Sequence, residues 1–400
     1  MDDFTINVCC LSGEVIPVKV QAGQTIQGIL DGLAGKLGVP SSQLRLTHGT
    51  KLLSKDSDVE DYRGSYVELM VMQSTKAISG SADCTLRVWD LDASSCLAVL
   101  RGHTDQILAV SADFTKQLAV SGSADETLRL WNLEHMKCLG VMKGHSDVVL
   151  AVETDFNIHQ AVSGSLDGTL RIWDLRCLRC VGVLTASCGW ISAIAVDFLS
   201  ERALSGSQDG FLHIWDLQAQ TCLSAIDAHS GWIFGLVVKP GFHYALSSSQ
   251  DGTVKIWDLD CQSCLSTLEG HHRTVTSLCV DFDSNILLSA SASSFCRWDL
   301  QTKECLCRRK ANQYELPTEA PDFGSSDAAS VWDFEADLCD HLSGNAADVL
   351  KVDACFVRQI AVSSHTDCSL RVWDLSSWKL LGVLEGHSSP ACAITVDPGK

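Results

Sequence analysis

From residue 75 onward the apolar positions fall into short runs, four to a unit, and the unit recurs to the end of the chain. Each unit reads as an apolar run such as ILAVSADF, a second ending in SGSxD, a third ending in Trp-Asp, and a fourth such as CLGVMKGH. Runs of this length separated by Gly, Asp, Ser and Thr clusters predict four short strands per unit. The tryptophans that close the third run stand at 89, 131, 173, 215, 257, 298 and 373, spaced by 42, 42, 42, 42, 41 and 75 residues. The last interval is one repeat plus a 33-residue insertion, so the pattern predicts seven units. The first unit lacks its opening run and begins with KAISGSADCTLRVWDL, whereas the chain ends on a spare opening run, GHSSPACAITVDPGK. Joining Lys400 to Thr75 restores the 42-residue register, which predicts that both ends share one unit and leave no open strand edge.

The GH, SGSxD and WD elements at these spacings resemble the WD-repeat family over residues 75–400. The resemblance implies a mainly β protein with a seven-bladed β-propeller. It also implies a polar chain inside each blade, linking a Trp indole, a Ser hydroxyl, a His and a turn Asp. The sets would be His387, Ser79, Asp83 and Trp89 in blade 1, His103, Ser121, Asp125 and Trp131 in blade 2, His145, Ser163, Asp167 and Trp173 in blade 3, and His229, Ser247, Asp251 and Trp257 in blade 5. Blade 4 has Ser187 at the His position, blade 7 has Asn345 there, and blade 6 keeps His271, Ser289 and Trp298 without the Asp. Looser packing is expected in those three. A Ser/His/Asp set also invites comparison with a hydrolase triad, but repetition inside strands, without a GxSxG elbow, reads as structure and predicts no catalytic residue.

Residues 1–72 follow a different pattern. FTINVCCLSGEVIPVKV alternates around a Ser-Gly turn, as a hairpin does. Ile26, Ile29, Leu30, Leu33 and Leu37 then recur at helical spacing before Gly38 and Pro40, and LRLTHGTKLL and YVELMVM predict two more strands. This ββ-α-ββ order, with LSG, TI, GVP, LRL, GTKLL and VEDY in sequence, resembles the ubiquitin superfold and implies an α+β ubiquitin-like domain. VMQSTK continues past its end without Gly-Gly, so conjugation is not expected. The resemblance maps the family's apolar patch onto Leu11, Thr47 and Met70, with Thr where an aliphatic residue is usual. Gln73 and Ser74 would form a two-residue linker to the propeller.

Composition narrows the function classes. The 400 residues carry 30 Lys plus Arg against 49 Asp plus Glu, a net charge of −19 that repels phosphate backbones and anionic lipid surfaces. Direct binding to nucleic acid or membrane is not expected. MDDFTINVCC has no basic leader region and no apolar run reaches spanning length, which predicts a cytoplasmic or nuclear protein. The 19 cysteines are an odd number in a long chain and predict no disulfide framework. Cys96, Cys138, Cys180, Cys222, Cys264 and Cys305 each follow a repeat Trp by seven residues and read as buried thiols. CLRC at 177–180 and CQSC at 261–264 have zinc-like spacing, but they fall on different blades with no His pair nearby, so neither a metal nor a cofactor is expected.

Candidate binding residues come from departures from the repeat. Trp190 and Trp232 take the same position at the start of adjacent inner strands, in CGWIS and SGWIF, and read as a partner-binding pair. The insertion at 308–347 carries acids and an apolar cluster that includes Trp332 and Phe334. It reads either as a segment without fixed structure or as one that folds against a basic groove on a protein partner. Trp173, Asp174 and Arg176 form a WDxR box, which resembles that of propellers serving as substrate receptors of cullin-RING ubiquitin ligases. The expected function is therefore a non-enzymatic scaffold that binds other proteins or peptide segments, monomeric within a larger complex. A ubiquitin-pathway component, as ligase receptor or proteasome-docking adaptor, is the alternative. A ribosome-assembly factor similar to notchless-type proteins is a third.

Overall fold

The computed structural model describes residues 4–10, 15–20, 24–37, 44–48, 51–52, 62, 66–71, 74–185, 189–310 and 348–399. The chain divides into two compact units, residues 1–75 with 90–94, and residues 76–89 with 95–400.

In the first unit, β1 (Phe4–Cys10) and β2 (Val15–Val20) pair antiparallel, with Phe4 opposite Val20. Helix α1 (Ile26–Leu37) follows, and the Thr25 hydroxyl accepts the Gly28 N–H at 3.4 Å across its first turn. The stretch read as one strand is two, β3 (Leu44–His48) and β4 (Lys51–Leu52), paired antiparallel with His48 opposite Lys51. With β5 (Tyr66–Val71) the sheet order is β2-β1-β5-β3-β4, and β1 and β5 run parallel at its centre. Ile26, Ile29, Leu30 and Leu33 bury one helix face against Ile6, Val8, Val20, Leu46, Val67 and Leu69 of the sheet. Leu37, expected on that face, is exposed at the last helical position.

The second unit consists, among the described residues, of seven four-stranded antiparallel sheets. Six take four consecutive strands. Sheet 1 combines Lys76–Ser81, Thr85–Asp90 and Ser95–Arg101 with the last strand of the chain, Ala391–Val396, with Ala391 opposite Ser81 and Ile394 opposite Ser79. The opening strands of the sheets (Ile107–Asp113 in sheet 2, Val149–Asp155 in sheet 3, and so on) touch one another in order around the unit, and Ala391–Val396 touches both Ile107–Asp113 and Val349–Cys355.

The repeat tryptophans hold neighbouring sheets together. Trp131 packs on Ile78, Leu86 and Leu100 of sheet 1, and Trp173 on Val120, Leu128 and Leu130 of sheet 2. All seven are at most 5% exposed. Sheets approach so closely that Gly122 has no room for a side chain: a Cβ there would stand 2.6 Å from Val149 Cγ1 of the next sheet. The SGS motif thus follows from packing.

Candidate functional site

The polar residues of the repeat converge at one end of each sheet, where the loop before the inner strand meets the turn between the second and third strands. In sheet 2 the Trp131 indole N–H donates to Ser121 Oγ at 2.8 Å. His103 Nε2 lies 2.7 Å from the same oxygen, and His103 Nδ1 lies 2.8 Å from Asp125 Oδ2. Because the indole can only donate, the consistent assignment has Ser121 donating to Nε2 and Nδ1–H donating to Asp125. Sheets 1, 3 and 5 bring together Trp89, Ser79, His387 and Asp83, then Trp173, Ser163, His145 and Asp167, then Trp257, Ser247, His229 and Asp251, all within 2.7–2.9 Å. In sheet 1 these bonds join residues from the two ends of the repeat region.

In sheets 1 and 5 electrostatics favour a neutral His beside an ionised Asp. Burial would raise the Asp83 carboxyl, but hydrogen bonds from Thr85 and His387 outweigh it and hold it at about 2. Similar bonds hold Asp125 and Asp167 far below the usual carboxylate range. Burial lowers His229 and His387. The serines are fully buried and already accept an indole N–H, so these Ser/His/Asp sets present no nucleophile to a substrate.

Looser packing in sheets 4, 6 and 7 is corrected, since Trp215, Trp298 and Trp373 are 0%, 2% and 5% exposed and each donates to its Ser at 2.7–2.8 Å. Sheets 6 and 7 compensate differently. In sheet 6, His271 keeps Ser289 at 2.7 Å, and its Nδ1 meets the hydroxyls of Ser291 at 3.0 Å and Ser294 at 3.3 Å in place of a carboxylate. Burial, reinforced by the Arg308 and His272 charges, pushes His271 down to about 4. In sheet 7, His365 replaces the loop His: its Nε2 sits 2.8 Å from Ser363 Oγ, on the same strand and fully buried. The signal was SSH in place of SGS, in which the last Ser becomes His and the Gly becomes Ser. Asp367 turns to Arg371 Nη2 at 2.8 Å. In sheet 4, His213 packs 6.1 Å from Trp215, and its Nδ1 is buried without a hydrogen-bond partner among the described residues. Ser187 and Asn345 lie outside the described residues.

Trp190 and Trp232 meet at that same end. Their rings stand edge to face at 89°, with centroids 5.5 Å apart, and Phe234 joins Trp232 at 5.9 Å. Both indoles are half-buried. Their backbones are pinned, with the Trp190 carbonyl accepting Gln208 N–H at 3.1 Å and the Trp232 carbonyl accepting Gln250 N–H at 2.8 Å. Gly231 lets the chain pass close beside Gln250, where a Cβ would come within 3.1 Å. Phe234 had no sequence signal beyond its place two residues after Trp232. It also lines a channel of about 340 Å³ between the inner strands, together with Ser111, Glu153, Lys351 and Asp353. Burial and the Asp353 carboxylate raise Glu153 to about 7. Trp332 and Phe334 lie outside the described residues.

The remaining candidates are scattered. Arg176 grips Asp174 with two parallel bonds, Nε to Oδ1 and Nη2 to Oδ2, each 3.1 Å, next to the buried Trp173. Its side chain is 68% exposed, which leaves the guanidinium reachable. Leu11 lies outside the described residues, as do the side chains of Thr47 and Met70. The expectation of buried thiols is corrected: Cys96, Cys222, Cys264 and Cys305 are exposed, and Cys138 and Cys180 half-buried. Cys138, Cys180, Cys222, Cys264 and Cys305 sit at a register shift on the outermost strand, opposite the repeat Trp. Cys177 and Cys180 direct their Sγ atoms to different carbonyls, Asp174 and Gly182. No His, Cys, Asp and Glu cluster among the described residues has a metal-binding arrangement.

No helix among the described residues is long and apolar enough to cross a membrane. No curated protein matches the chain. The family model for the WD domain, G-beta repeat, matches residues 71–90, 94–132, 136–174, 178–216, 220–258 and 262–299, more than half of the sequence. The sheets, the buried Trp-Ser-His-Asp chains and this match agree, and the chain belongs to the WD-repeat family.

Proposed function

We propose that this WD-repeat protein is a non-enzymatic scaffold in which the Trp190/Trp232/Phe234 cluster grips an apolar side chain of a partner protein. WD repeats generally mediate protein–protein interaction and complex assembly. The observation that carries the site is the edge-to-face indole pair, half-exposed on rigid strands where other units carry Gln106, Val148 or Thr274. Aromatic anchors held by their backbones lose little conformational freedom on binding. A closed seven-bladed propeller is the frame in this reading, supported by the Ala391–Val396 strand pairing with the start of the repeat region. A ubiquitin-like fold for the first unit is supported by its β2-β1-β5-β3-β4 order and parallel central pair, and would supply a second docking surface. The net charge of −19 favours protein over nucleic-acid or lipid partners, in cytoplasm or nucleus, with the chain a monomer within a larger complex.

A second reading is a ubiquitin-pathway component. The exposed Arg176–Asp174 fork favours it, because a guanidinium held in plane is preorganised for a carboxylate or carbonyl on an adaptor. Affinity capture separates the readings, using the full chain, a chain lacking residues 1–72, Trp190→Ala/Trp232→Ala and Arg176→Ala. The scaffold reading expects partners to vanish with the Trp pair and persist with Arg176→Ala. Ligase subunits lost only with Arg176→Ala would replace it with the second.

A further inference from the structure

Sheet 4 exposes a carboxylate that the complete sheets occupy. In sheets 1, 2, 3 and 5 the turn Asp uses Oδ1 to hold its own turn and Oδ2 to take the His Nδ1–H and a loop N–H, as Asp125 does with Thr127, His103 and Thr104. Asp209 is the equivalent residue of sheet 4, whose loop has Ser187 in place of the His. Asp209 Oδ1 accepts the Phe211 N–H at 3.3 Å and the Ser207 hydroxyl. Its Oδ2 takes no hydrogen bond and no ion pair among the described residues, and the residue is exposed. The turn that carries it touches both aromatic loops. On one side the Gln208 N–H donates to the Trp190 carbonyl at 3.1 Å. On the other the Gly210 backbone, with φ of +83°, runs so close to the loop before Trp232 that a Cβ there would come within 3.2 Å of the Gly231 carbonyl oxygen. Asp209 stands between these two contacts, on the rim of the indole pair.

We propose that Asp209 and the Trp190/Trp232 pair together take a basic segment of a protein partner, in which a Lys or Arg lies one or two residues from the apolar side chain that the indoles hold. The proposal rests on the scaffold reading and adds the partner's chemistry. An extended segment advances about 3.3 Å per residue, so one or two residues carry its cation from the rings to the adjoining turn. A carboxylate with an open oxygen offers an ammonium or guanidinium a charge-assisted bond, and an indole face attracts the same cation. His213, which lies within reach of the Asp209 charge, is buried and held toward its neutral form, so it does not supply the missing cation. The net charge of −19 draws a basic segment to this surface and repels an acidic one.

The test pans a random dodecapeptide library displayed on phage against the full chain, Asp209→Asn and Trp190→Ala/Trp232→Ala. Asn keeps an Oδ1 acceptor for the Phe211 N–H, so the turn stands. Peptides enriched on the wild type should carry a Lys or Arg within two residues of an aliphatic or aromatic residue. On Asp209→Asn the apolar residue should stay enriched and the basic one should not, and the double Trp variant should enrich neither. Replacing the Arg of the leading peptide by citrulline, its neutral isostere, should weaken binding about fivefold on the wild type and by less than half of that on Asp209→Asn. A basic preference that survives Asp209→Asn, or wild-type peptides with an apolar but no basic residue, would overturn the proposal and leave the scaffold reading standing. No enrichment on the wild type, or the same enrichment on the double Trp variant, would remove both.

Discussion

Sheets 2 and 6 solve the same problem with different polar groups. Both bury a Trp against the preceding sheet and satisfy its indole with a Ser that contacts a His. In sheet 2 the series ends on an ionised Asp125 that also accepts the Thr104 and Thr127 N–H groups and the Thr127 hydroxyl. In sheet 6 it ends on two neutral hydroxyls. Packing around the Trp is equally tight in both, so the carboxylate is not what makes a sheet close. It fixes the loop and the imidazole tautomer, and that contribution depends on pH.

The largest test of this comparison removes a strand altogether. Deleting residues 386–400 takes away both His387 and the inner strand of sheet 1, and the cooperative calorimetric transition of the repeat region should disappear. A truncated chain with an unchanged melt would show that the terminal strand is dispensable. Next in size, Asp125→Ala should cost roughly 3 kcal/mol in denaturant unfolding, because it leaves the buried His103 Nδ1–H and the Thr104 and Thr127 N–H groups without their acceptor. Placing Asp at Ser293 in sheet 6 should recover no comparable gain, since Ser291 and Ser294 already satisfy His271.

Acid then separates the two sheets by degrees. His271 has a folded value near 4 against an ordinary 6.5, so the unfolded chain takes up the proton first. Its contribution is complete above pH 6.5 and falls as pH drops through 4, a loss of at most about 3 kcal/mol. The Asp83 contribution is present above its ordinary 3.8 and is lost only as pH falls through about 2. Hydrogen exchange at stepped pH should therefore show residues 286–299 losing protection before residues 76–90. The opposite order would remove the role assigned to the carboxylate.

Much of this was legible because the Trp spacing fixes position within a unit, and position fixes burial for any side chain on the inner three strands. The sets built on Trp131, Trp173 and Trp257 were implied by the WD-repeat resemblance, which assigns each member by its distance from the Trp. His365 could not, because it satisfies Ser363 from the strand itself and breaks no spacing. The exposed thiols were misread for a related reason: periodicity shows that Cys96 and Cys222 are equivalent but does not say that their strand is the outermost layer. In the first unit, Leu37 fits the helical stripe but stands at its last turn, beyond the sheet's cover. The contact of Trp190 with Trp232 was suggested by their equivalent positions, whereas Phe234 had to be seen beside them.

The claim that binding resides in the departures and stability in the repeat is tested most directly by measuring melting and partner capture together in two variants. Ser163→Ala should lower the melting temperature and, below it, retain partners; Trp190→Ala/Trp232→Ala should melt within a few degrees of the wild type and lose them. Full partner retention by the Trp double variant would contradict the account.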